Sequence, residues 1–381
     1  MITLGVVSLL MDTSSEMIHS TLPVFLTTVL GVSMTGVGII EGVAEATAAT
    51  VKVFAGALSD WMGRRKPLVL LGYGVAAATK PLFALANGLG LVLVARFVDR
   101  VGKGLRGAPR DALVADLTPE ESRGGAYGMR QALDTVGAFA GPALALALMI
   151  LTRDDFRIVF WVAVVPAIAS VVLIVIGVHE PETSRPRAMG RFPVRRDEIG
   201  RLDRRYWWAV AFAAVLTLAR FSEAFLLLRA EDVGLAATYT PLVLIVMNVF
   251  YAASAYPFGR LSDRARRPVL AWGIAFMIAA DVVLATAVAP VWALAGAALW
   301  GLHMGATQGL LAAAVADGAP VDLRGTAFGV FNLVTGAALL AASVLAGGLW
   351  SAFGPQATFL VGASFAAVAL AGLWSAPRVS V

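Results

Sequence analysis

The chain lacks the residues and motifs on which most enzymes depend. It contains no cysteine and only three histidines among 381 residues. The absence of cysteine excludes disulfides, thiolate metal sites and cysteine nucleophiles. No glycine-rich phosphate loop leads into a nucleotide domain, and no nucleophile, base and orienting group form a set. The sequence therefore predicts a protein that is not an enzyme, does not use ATP and needs no cofactor.

Charge is scarce as well. Only 14% of the residues are charged, 59% are hydrophobic, and the mean hydropathy is +0.80, which is more apolar than a soluble domain. Runs of about 20 apolar residues, enough to cross a hydrocarbon core of about 30 Å as a helix, recur along the chain. We predict an all-α membrane protein with twelve transmembrane helices. The approximate spans are 3–30, 35–58, 67–87, 91–115, 122–151, 156–178, 206–229, 240–258, 268–289, 291–316, 322–350 and 354–375.

The first apolar run is predicted to be a membrane span and not a removable signal peptide. Asp12 and Glu16 interrupt it, and no small-residue cleavage site follows it. The basic residues are concentrated in alternate loops, at 64–66, 123, 185–205, 260–267 and 324. By the positive-inside rule these loops and both termini are cytoplasmic, so topology and not nucleic-acid binding explains the pI near 9.8. The preference for arginine over lysine favours a bacterial inner membrane.

Two internal repeats divide the chain. The segment Gly56-Ala-Leu-Ser-Asp60-Trp-Met-Gly63-Arg64-Arg65-Lys66-Pro67 recurs as Gly259-Arg-Leu-Ser-Asp263-Arg-Ala-Arg266-Arg267-Pro268. A second match, at an offset of 201 residues, aligns Leu-Val-Ala-Asp116 with Ala-Val-Ala-Asp317. These repeats predict six-helix bundles at 1–178 and 206–381, joined by a basic cytoplasmic linker at 179–205. Parallel repeats of this kind place a substrate site near the membrane midplane, between the halves.

The repeated loop resembles a signature of the major facilitator superfamily of secondary transporters. The matching residues are Gly56, Leu58, Asp60, Gly63, Arg64 and Arg65. The series Gly128, Gly137, Gly141 and Pro142 resembles the helix 5 signature of the family's exporters, although Ala145-Leu146 stands where two further small residues are expected. Arg96 falls at the position of the family's helix 4 arginine, and Arg100 replaces the first glycine expected after it.

The resemblance implies alternating access around a central cavity. The implied transporter is a functional monomer that moves a small molecule and takes its energy from a proton gradient. The duplicated loop is predicted to latch and release the cytoplasmic ends of the helices; its alternative role is to anchor the loop and fix topology. The predicted gating residues are Asp60, Arg64, Arg65, Asp263, Arg106, Arg110, Gly137, Gly141 and Pro142.

Ionisable residues inside the spans are functional candidates, because each costs about 2.5–3.5 kcal/mol to insert at a helix centre. The first half holds most of them, and comparison across the repeat shows that the second half has lost them. The predicted cavity residues are Asp12, Glu16, His19, Glu41, Glu45, Lys52, Arg96, Asp99, Arg100, Lys103, Arg130 and Asp134 in the first half. Those of the second half are Arg220, Glu223, Asn248, Trp300 and His303.

Several interpretations of these charges remain open. They could form a self-neutralising network that fixes helix register, or carboxylates such as Asp12, Glu16 and Glu45 could carry protons. We favour proton-coupled export by antiport, mainly from the helix 5 pattern. The first alternative is proton-coupled uptake of an organic anion bound by Arg96, Arg100 and Lys103. The second alternative is an exporter of a divalent metal or metal chelate that uses Asp12, Glu16 and His19 as ligands.

Overall fold

The computed structural model describes residues 2–62, 64–118, 123–179, 202–262, 264–317 and 324–375, which are helical and contain no strand. The predicted all-α fold with twelve helices is confirmed. The helices are α1 (Ile2–His19), α2 (Met34–Met62), α3 (Lys66–Leu85), α4 (Leu89–Asp116), α5 (Arg123–Thr152), α6 (Phe156–Gly177), α7a (Arg204–Ala219) with α7b (Ala224–Asp232), α8 (Pro241–Ser262), α9 (Arg266–Thr286), α10 (Pro290–Asp317), α11 (Arg324–Phe353) and α12 (Pro355–Ser375).

Eight stretches among the described residues are long and apolar enough to cross a membrane: they lie in α3, α5, α6, α7, α8, α9, α11 and α12. Helix α4 fails this criterion because of its charge, with Arg96, Asp99, Arg100, Lys103 and Arg106 falling within its first 18 residues. A helix of 28 residues with this composition is stable in a membrane only if its charges are satisfied by protein groups.

Two of the predicted spans are not continuous helices. Helix α1 ends at His19 and is followed by a short turn at Leu22–Val24 and a π-helical stretch at Phe25–Val29. Helix α7 is interrupted between Ala219 and Ala224. The break is tolerated because freed backbone groups find local partners; for example, the Ser222 amide donates to the Ser343 hydroxyl at 3.3 Å.

Contacts divide the chain into two compact units. The first contains Met1–Leu30 and Val43–Pro193, and the second contains Gly31–Gly42 and Val194–Val381. In the first unit α1 packs on α5 and α6, and α3 packs on α4 and α6; in the second, α10 packs on α8 and α9, and α9 packs on α12. The boundaries expected from sequence, at 178 and 206, stay a prediction, and most of the 179–205 linker lies outside the described residues.

Glycines allow α5 to approach α1 closely. A Cβ atom on Gly137 would lie 2.8 Å from the Leu9 carbonyl oxygen and 3.1 Å from the Cβ of Asp12. A Cβ atom on Gly141 would lie 2.6 Å from the Cβ of Glu16. In a membrane, where lipid provides little hydrophobic drive between helices, such small residues permit the close packing that holds helices together. The two glycines therefore allow α5 to pack directly against α1 at the two acidic positions.

An arginine caps the C-terminal end of the third helix in each unit by donating hydrogen bonds to its last carbonyl groups. Arg157 at the start of α6 donates to the carbonyl oxygens of Ala84 and Ala86 at 3.1 and 2.9 Å. In the second unit Arg229 of α7b donates to the carbonyl oxygens of Leu284 and Ala287 at 2.8 and 2.7 Å. The last carbonyls of a helix have no partner within the helix, so these guanidinium groups satisfy acceptors that would otherwise be buried without a donor.

We expect Gly141→Ala to lower the free energy of unfolding by about 1–3 kcal/mol, the usual cost of overpacking a close contact. The backbone of Thr13 and Met17 surrounds the added methyl group and cannot yield as a flexible side chain would. Gly74→Ala in α3 is the matched control, because a Cβ there meets no atom within 4 Å. Thermal unfolding in detergent measures both; equal melting temperatures would contradict the packing role of Gly141.

We expect Arg157→Ala to cost about 2–3 kcal/mol, because charge-assisted hydrogen bonds are lost and carbonyls of α3 remain without a donor. Arg153→Ala removes the same charge from an exposed position on the same loop and serves as control. Both variants are compared by thermal unfolding in detergent. A drop of similar size in the control would show that loss of charge, and not loss of the cap, is responsible.

Candidate transport site

Charged side chains of α4 contact polar groups of α1 in antiparallel order within the first unit. Arg110 donates to the Ser8 hydroxyl at 2.5 Å, the Arg106 guanidinium lies 3.7 Å from a carboxylate oxygen of Asp12, and Arg100 contacts His19. Arginines spaced by six and four residues thus match α1 positions spaced by seven and four. We call these three contacts the α1–α4 ladder.

An ion pair joins α3 to α4 between the rungs of the ladder. Lys80 lies 2.8 Å from Oδ1 of Asp99 and also donates to the Ser15 hydroxyl of α1 at 3.1 Å. Both charged side chains are almost fully buried, with exposed fractions of 2% and 6%. Removing two charges from water is costly, and this cost is recovered only when the geometry is good and further hydrogen bonds are made. Ser15 supplies one of them.

Arg100 connects three helices. It lies 3.1 Å from Oε1 of Glu45 on α2 and contacts Nε2 of His19 on α1. Because an arginine can only donate, Nε2 of His19 must accept, and the neutral ring carries its proton on Nδ1. That nitrogen lies 3.9 Å from Oε1 of Glu16. A connected series of charged and polar groups therefore runs from Glu45 through Arg100 and His19 to Glu16.

A second set of pairs lies towards the C-terminal end of α4. Asp111 accepts from the neighbouring Arg110 at 3.1 Å and lies 3.7 Å from Arg130 of α5, which in turn pairs with Asp134 at 2.7 Å. Arg106, between this set and the centre, lies over the ring of Tyr73 at 4.7 Å from its centroid. The contact between Asp111 and Arg130 ties α4 to α5.

Acids and bases differ in their exposure. The side chains of Asp12, Glu16 and Glu45 are 28%, 25% and 27% exposed, whereas those of Arg100 and Arg106 are 2% and 6% exposed. The carboxylates thus reach open space, and the guanidinium groups are held in the protein behind them. Such an arrangement allows protons to reach the acids while the bases act as fixed positive charges.

The other predicted residues of the first half are scattered. Arg96 is buried, while Lys52 and Lys103 are exposed on their helices. Glu41 is buried in the part of α2 that groups with the second unit, apart from the ladder. No group of three acidic or histidine side chains that could hold a metal ion occurs in the described part of the chain, where His19 contacts Arg100 and Asp12 lies near Arg106; the metal alternative stays a prediction.

The structure describes some of the predicted gating residues and not others. Arg65 lies 3.0 Å from a carboxylate oxygen of Asp116 and donates to the Ser59 hydroxyl at 2.9 Å, so it ties the α2–α3 loop to the end of α4. Arg64 is exposed. Asp263 and the side chain of Asp60 lie outside the described residues. Pro142 follows Gly141 inside α5, which remains helical there.

The predicted residues of the second unit are mostly buried in an aromatic setting. Trp300 and His303 of α10 have no exposed surface, Asn248 of α8 is 9% exposed, and Arg220 and Glu223 flank the break in α7. Nδ1 of His303 lies 2.9 Å from the Gly273 carbonyl oxygen. This unit therefore presents buried neutral groups where the first unit presents ion pairs.

Sequence reasoning missed the neutral members of the site. Ser8 and Ser15 accept hydrogen bonds from Arg110 and Lys80, and the Arg106 guanidinium lies over the ring of Tyr73, yet none of the three was predicted as a site residue. A helical pattern was available, since the spacing places Ser8 and Ser15 on the same face of α1 as Asp12 and His19. Hydroxyl groups are common in membrane helices, which is why this spacing alone gives a weak signal.

Comparison with known proteins supports one family along the whole chain. The Major Facilitator Superfamily model matches residues 4–228 and 221–380. An uncharacterized MFS-type transporter of Methanocaldococcus jannaschii is 32% identical over 96% of this chain and 92% of its own. The inner membrane transport protein YajR of Escherichia coli is 26% identical over 89% of this chain and 74% of its own. The multidrug resistance protein MdtH of Yersinia enterocolitica is 30% identical over 36% of this chain and 33% of its own.

Solved structures agree at the level of the fold. The nucleoside transporter NupG superposes with a TM-score of 0.81 over 98% of both chains, at 12% identity. A D-xylose-proton symporter superposes with a TM-score of 0.74 over 98% of this chain and 96% of its own, at 15% identity. With the family match covering nearly every described helix, the chain belongs to the Major Facilitator Superfamily of membrane transporters.

Proposed function

We propose that this transporter exports a small molecule in exchange for protons, and that Asp12 and Glu16 of α1 carry the protons. The transporter consists of six-helix halves at 1–178 and 206–381, joined by the linker at 179–205. The protein works as a monomer without a cofactor, in a bacterial inner membrane, with both termini in the cytoplasm. The proton gradient supplies the energy.

One observation carries the proposal: of the three acids that are about one quarter exposed, Asp12 and Glu16 are the two against which α5 is packed through glycine. Gly137 lies against Asp12 and Gly141 against Glu16, and both carboxylates are about one quarter exposed. These glycines belong to the sequence pattern that resembles the helix 5 signature of exporters. The exporter-like pattern and the candidate proton carriers therefore meet at one contact.

The geometry provides a way for a proton to change helix contacts. A proton on Asp12 removes the attraction between its carboxylate and the Arg106 guanidinium 3.7 Å away, and a proton on Glu16 removes the charge facing His19. At separations near 4 Å such an attraction is worth about 4 kcal/mol at an effective dielectric constant of 20. Protonation thus weakens the link between α1 and α4, and the glycine contact leaves α1 free to slide on α5.

The relatives give limited support for the direction of transport. MdtH carries the description of a multidrug resistance protein, and this fits export, but it aligns with only part of the chain. Organic anion uptake fits the site less well. Arg96 and Arg100 are buried, and Arg100 already contacts Glu45 and His19, so of the three proposed anion ligands only Lys103 is exposed.

The decisive experiment reconstitutes the protein in liposomes that contain a pH-sensitive dye. Compounds that raise the melting temperature of the protein are first selected from a panel of organic cations, organic anions, nucleosides and sugars. We expect at least one of them to cause a proton flux opposite in direction to its own movement. Flux in the same direction would replace export by symport, and binding without any proton movement would contradict proton coupling.

We expect Glu16→Gln to reduce coupled transport by at least tenfold while leaving the melting temperature within a few degrees, because the amide keeps the shape of the side chain but cannot carry a proton. The measurement is counterflow of a labelled compound at zero proton gradient, which should persist, beside gradient-driven transport, which should not. Glu231→Gln, at the end of α7b in the second unit, is the matched control. Unchanged gradient-driven transport in Glu16→Gln would remove Glu16 from the mechanism.

A further inference from the structure

Asp281 is an acidic residue at the interior of the second unit that the mechanism above does not use. It belongs to α9, has no exposed surface, and neither of its carboxylate oxygens has a hydrogen-bond partner in the described part of the chain. An ionised carboxylate without water, a cation or a donor is among the most costly groups to bury. Such a carboxyl group is far less costly to bury when it holds a proton.

Aromatic side chains and a glycine cover this carboxyl group. A Cβ atom on Gly362 of α12 would lie 2.8 Å from Oδ2 of Asp281 and 3.1 Å from the ring of Phe221. Phe221 lies in the break of α7, and its ring contacts those of Phe225, Trp300 and Phe359 at centroid distances of 5.4–5.7 Å. Among the described residues no group of acidic or histidine side chains that could hold a metal ion includes Asp281, and the ligand that this apolar setting suits is a proton.

The register of α9 and α10 places a second unsatisfied group at the same level. Gly273 of α9 faces Ala306 and Thr307 of α10, and Leu284 of α9 faces Gly296. Between these two contacts Asp281 is level with residues 299 and 300. Trp300 is fully buried, and its indole N–H has no acceptor among the described residues. A buried acceptor and a buried donor without partners thus occupy one level of two packed helices.

The internal repeat gives this pair of positions a counterpart. The offset of 201 residues that aligns the two halves pairs Lys80 with Asp281 and Asp99 with Trp300. In the first unit these positions form the buried ion pair at 2.8 Å. The second unit keeps a polar position at the same place on the third and fourth helices, but it replaces a base and an acid with an acid and a neutral N–H donor.

We propose that Asp281 is a second proton-binding site, located in the C-terminal half, and that its carboxylate takes the indole N–H of Trp300 as donor when the proton leaves. Because Phe221 covers the carboxyl group, proton release requires the break in α7 to move. The proposal deepens the proposed proton coupling and rests on it for its place in transport. The step releases one proton and leaves one carboxylate, with no other bond changed.

The charged and titratable groups near Asp281 are few. His303 lies three residues beyond Trp300 on α10, and its Nε2 has no hydrogen-bond partner among the described residues. Arg220 and Glu223 flank Phe221 in the break. Arg229 of α7b is bound to the backbone at the end of α9, one turn beyond Asp281. Helix α12 carries no charged residue, and α8 contributes Tyr251.

The test uses infrared difference spectra of the full-length protein in lipid nanodiscs, recorded between acidic and alkaline pH without any substrate. We expect the wild type to show the C=O band of a protonated carboxylic acid that Asp281→Asn lacks and Glu231→Gln keeps. We expect Trp300→Phe to show this band at acidic pH as the wild type does. The pH at which the band disappears should be about one to two units higher in the variant, because the carboxylate loses the hydrogen-bond donor that stabilises its ionised form. An unaltered spectrum in Asp281→Asn, or an unshifted midpoint in Trp300→Phe, would overturn the proposal.

The infrared result does not depend on transport, so the two proposals can fail separately. Suppose that the wild type moves no protons with any bound compound, but that its carboxylic acid band is missing from the spectrum of Asp281→Asn. Asp281 then still binds a proton, and the proposed coupling is wrong. If the wild type moves protons and Asp281→Asn shows the full carboxylic acid signal, the coupling stands and Asp281 is not a proton site. Trp300→Phe provides the answer if Asp281→Asn does not fold.

Discussion

The cost of holding positive charge inside the membrane is the constraint on which the first unit depends. Arg100, Arg106 and Lys80 are nearly inaccessible to water, and each buried ion costs several kcal/mol that its partners must return. The partners come from other helices: Asp12 and His19 from α1, Glu45 from α2 and Asp99 from α4. Helix α4 can therefore exist in the membrane only inside this arrangement, and this makes its position sensitive to the protonation of any partner.

The same constraint explains why acids and bases have different exposure. A guanidinium group stays charged at any accessible pH, so its burial demands permanent partners. A carboxylate can escape the cost by taking up a proton, and Asp12, Glu16 and Glu45 are about one quarter exposed while Arg100 and Arg106 are buried. The bases keep their charge, whereas the acids can lose theirs by taking up a proton. Under the proposed proton coupling, proton uptake changes helix contacts without requiring any buried cation to lose its charge.

The sequence predicts the fold well because both of its signals are strong and repeated. Apolar runs give the twelve helices, and the duplicated loop gives the internal repeat. The breaks at His19 and at Arg220 were missed, because a π-helical turn and an interrupted helix keep the same hydrophobic composition as a continuous span. Charge-rich α1 and α4 were correctly identified as polar helices, but which acid meets which base depends on helix register, and sequence spacing within one helix does not contain it.

The two units show how one helical framework supports different polar chemistry. At equivalent positions the first unit has Lys80 and Asp99, and the second has Asp281 and Trp300. Both units place polar groups on the third and fourth helices at this level: an ion pair in the first, and in the second an acid and an indole N–H that have no hydrogen-bond partner among the described residues. An ion pair at this position can lose its proton only by breaking a strong attraction, so it favours a permanent contact. A lone acid beside a neutral donor has two states of similar free energy: protonated, or ionised and hydrogen-bonded to the donor. The divergence of the repeats thus leaves the first unit with fixed buried charge beside accessible acids, and the second with a buried group that can change its charge.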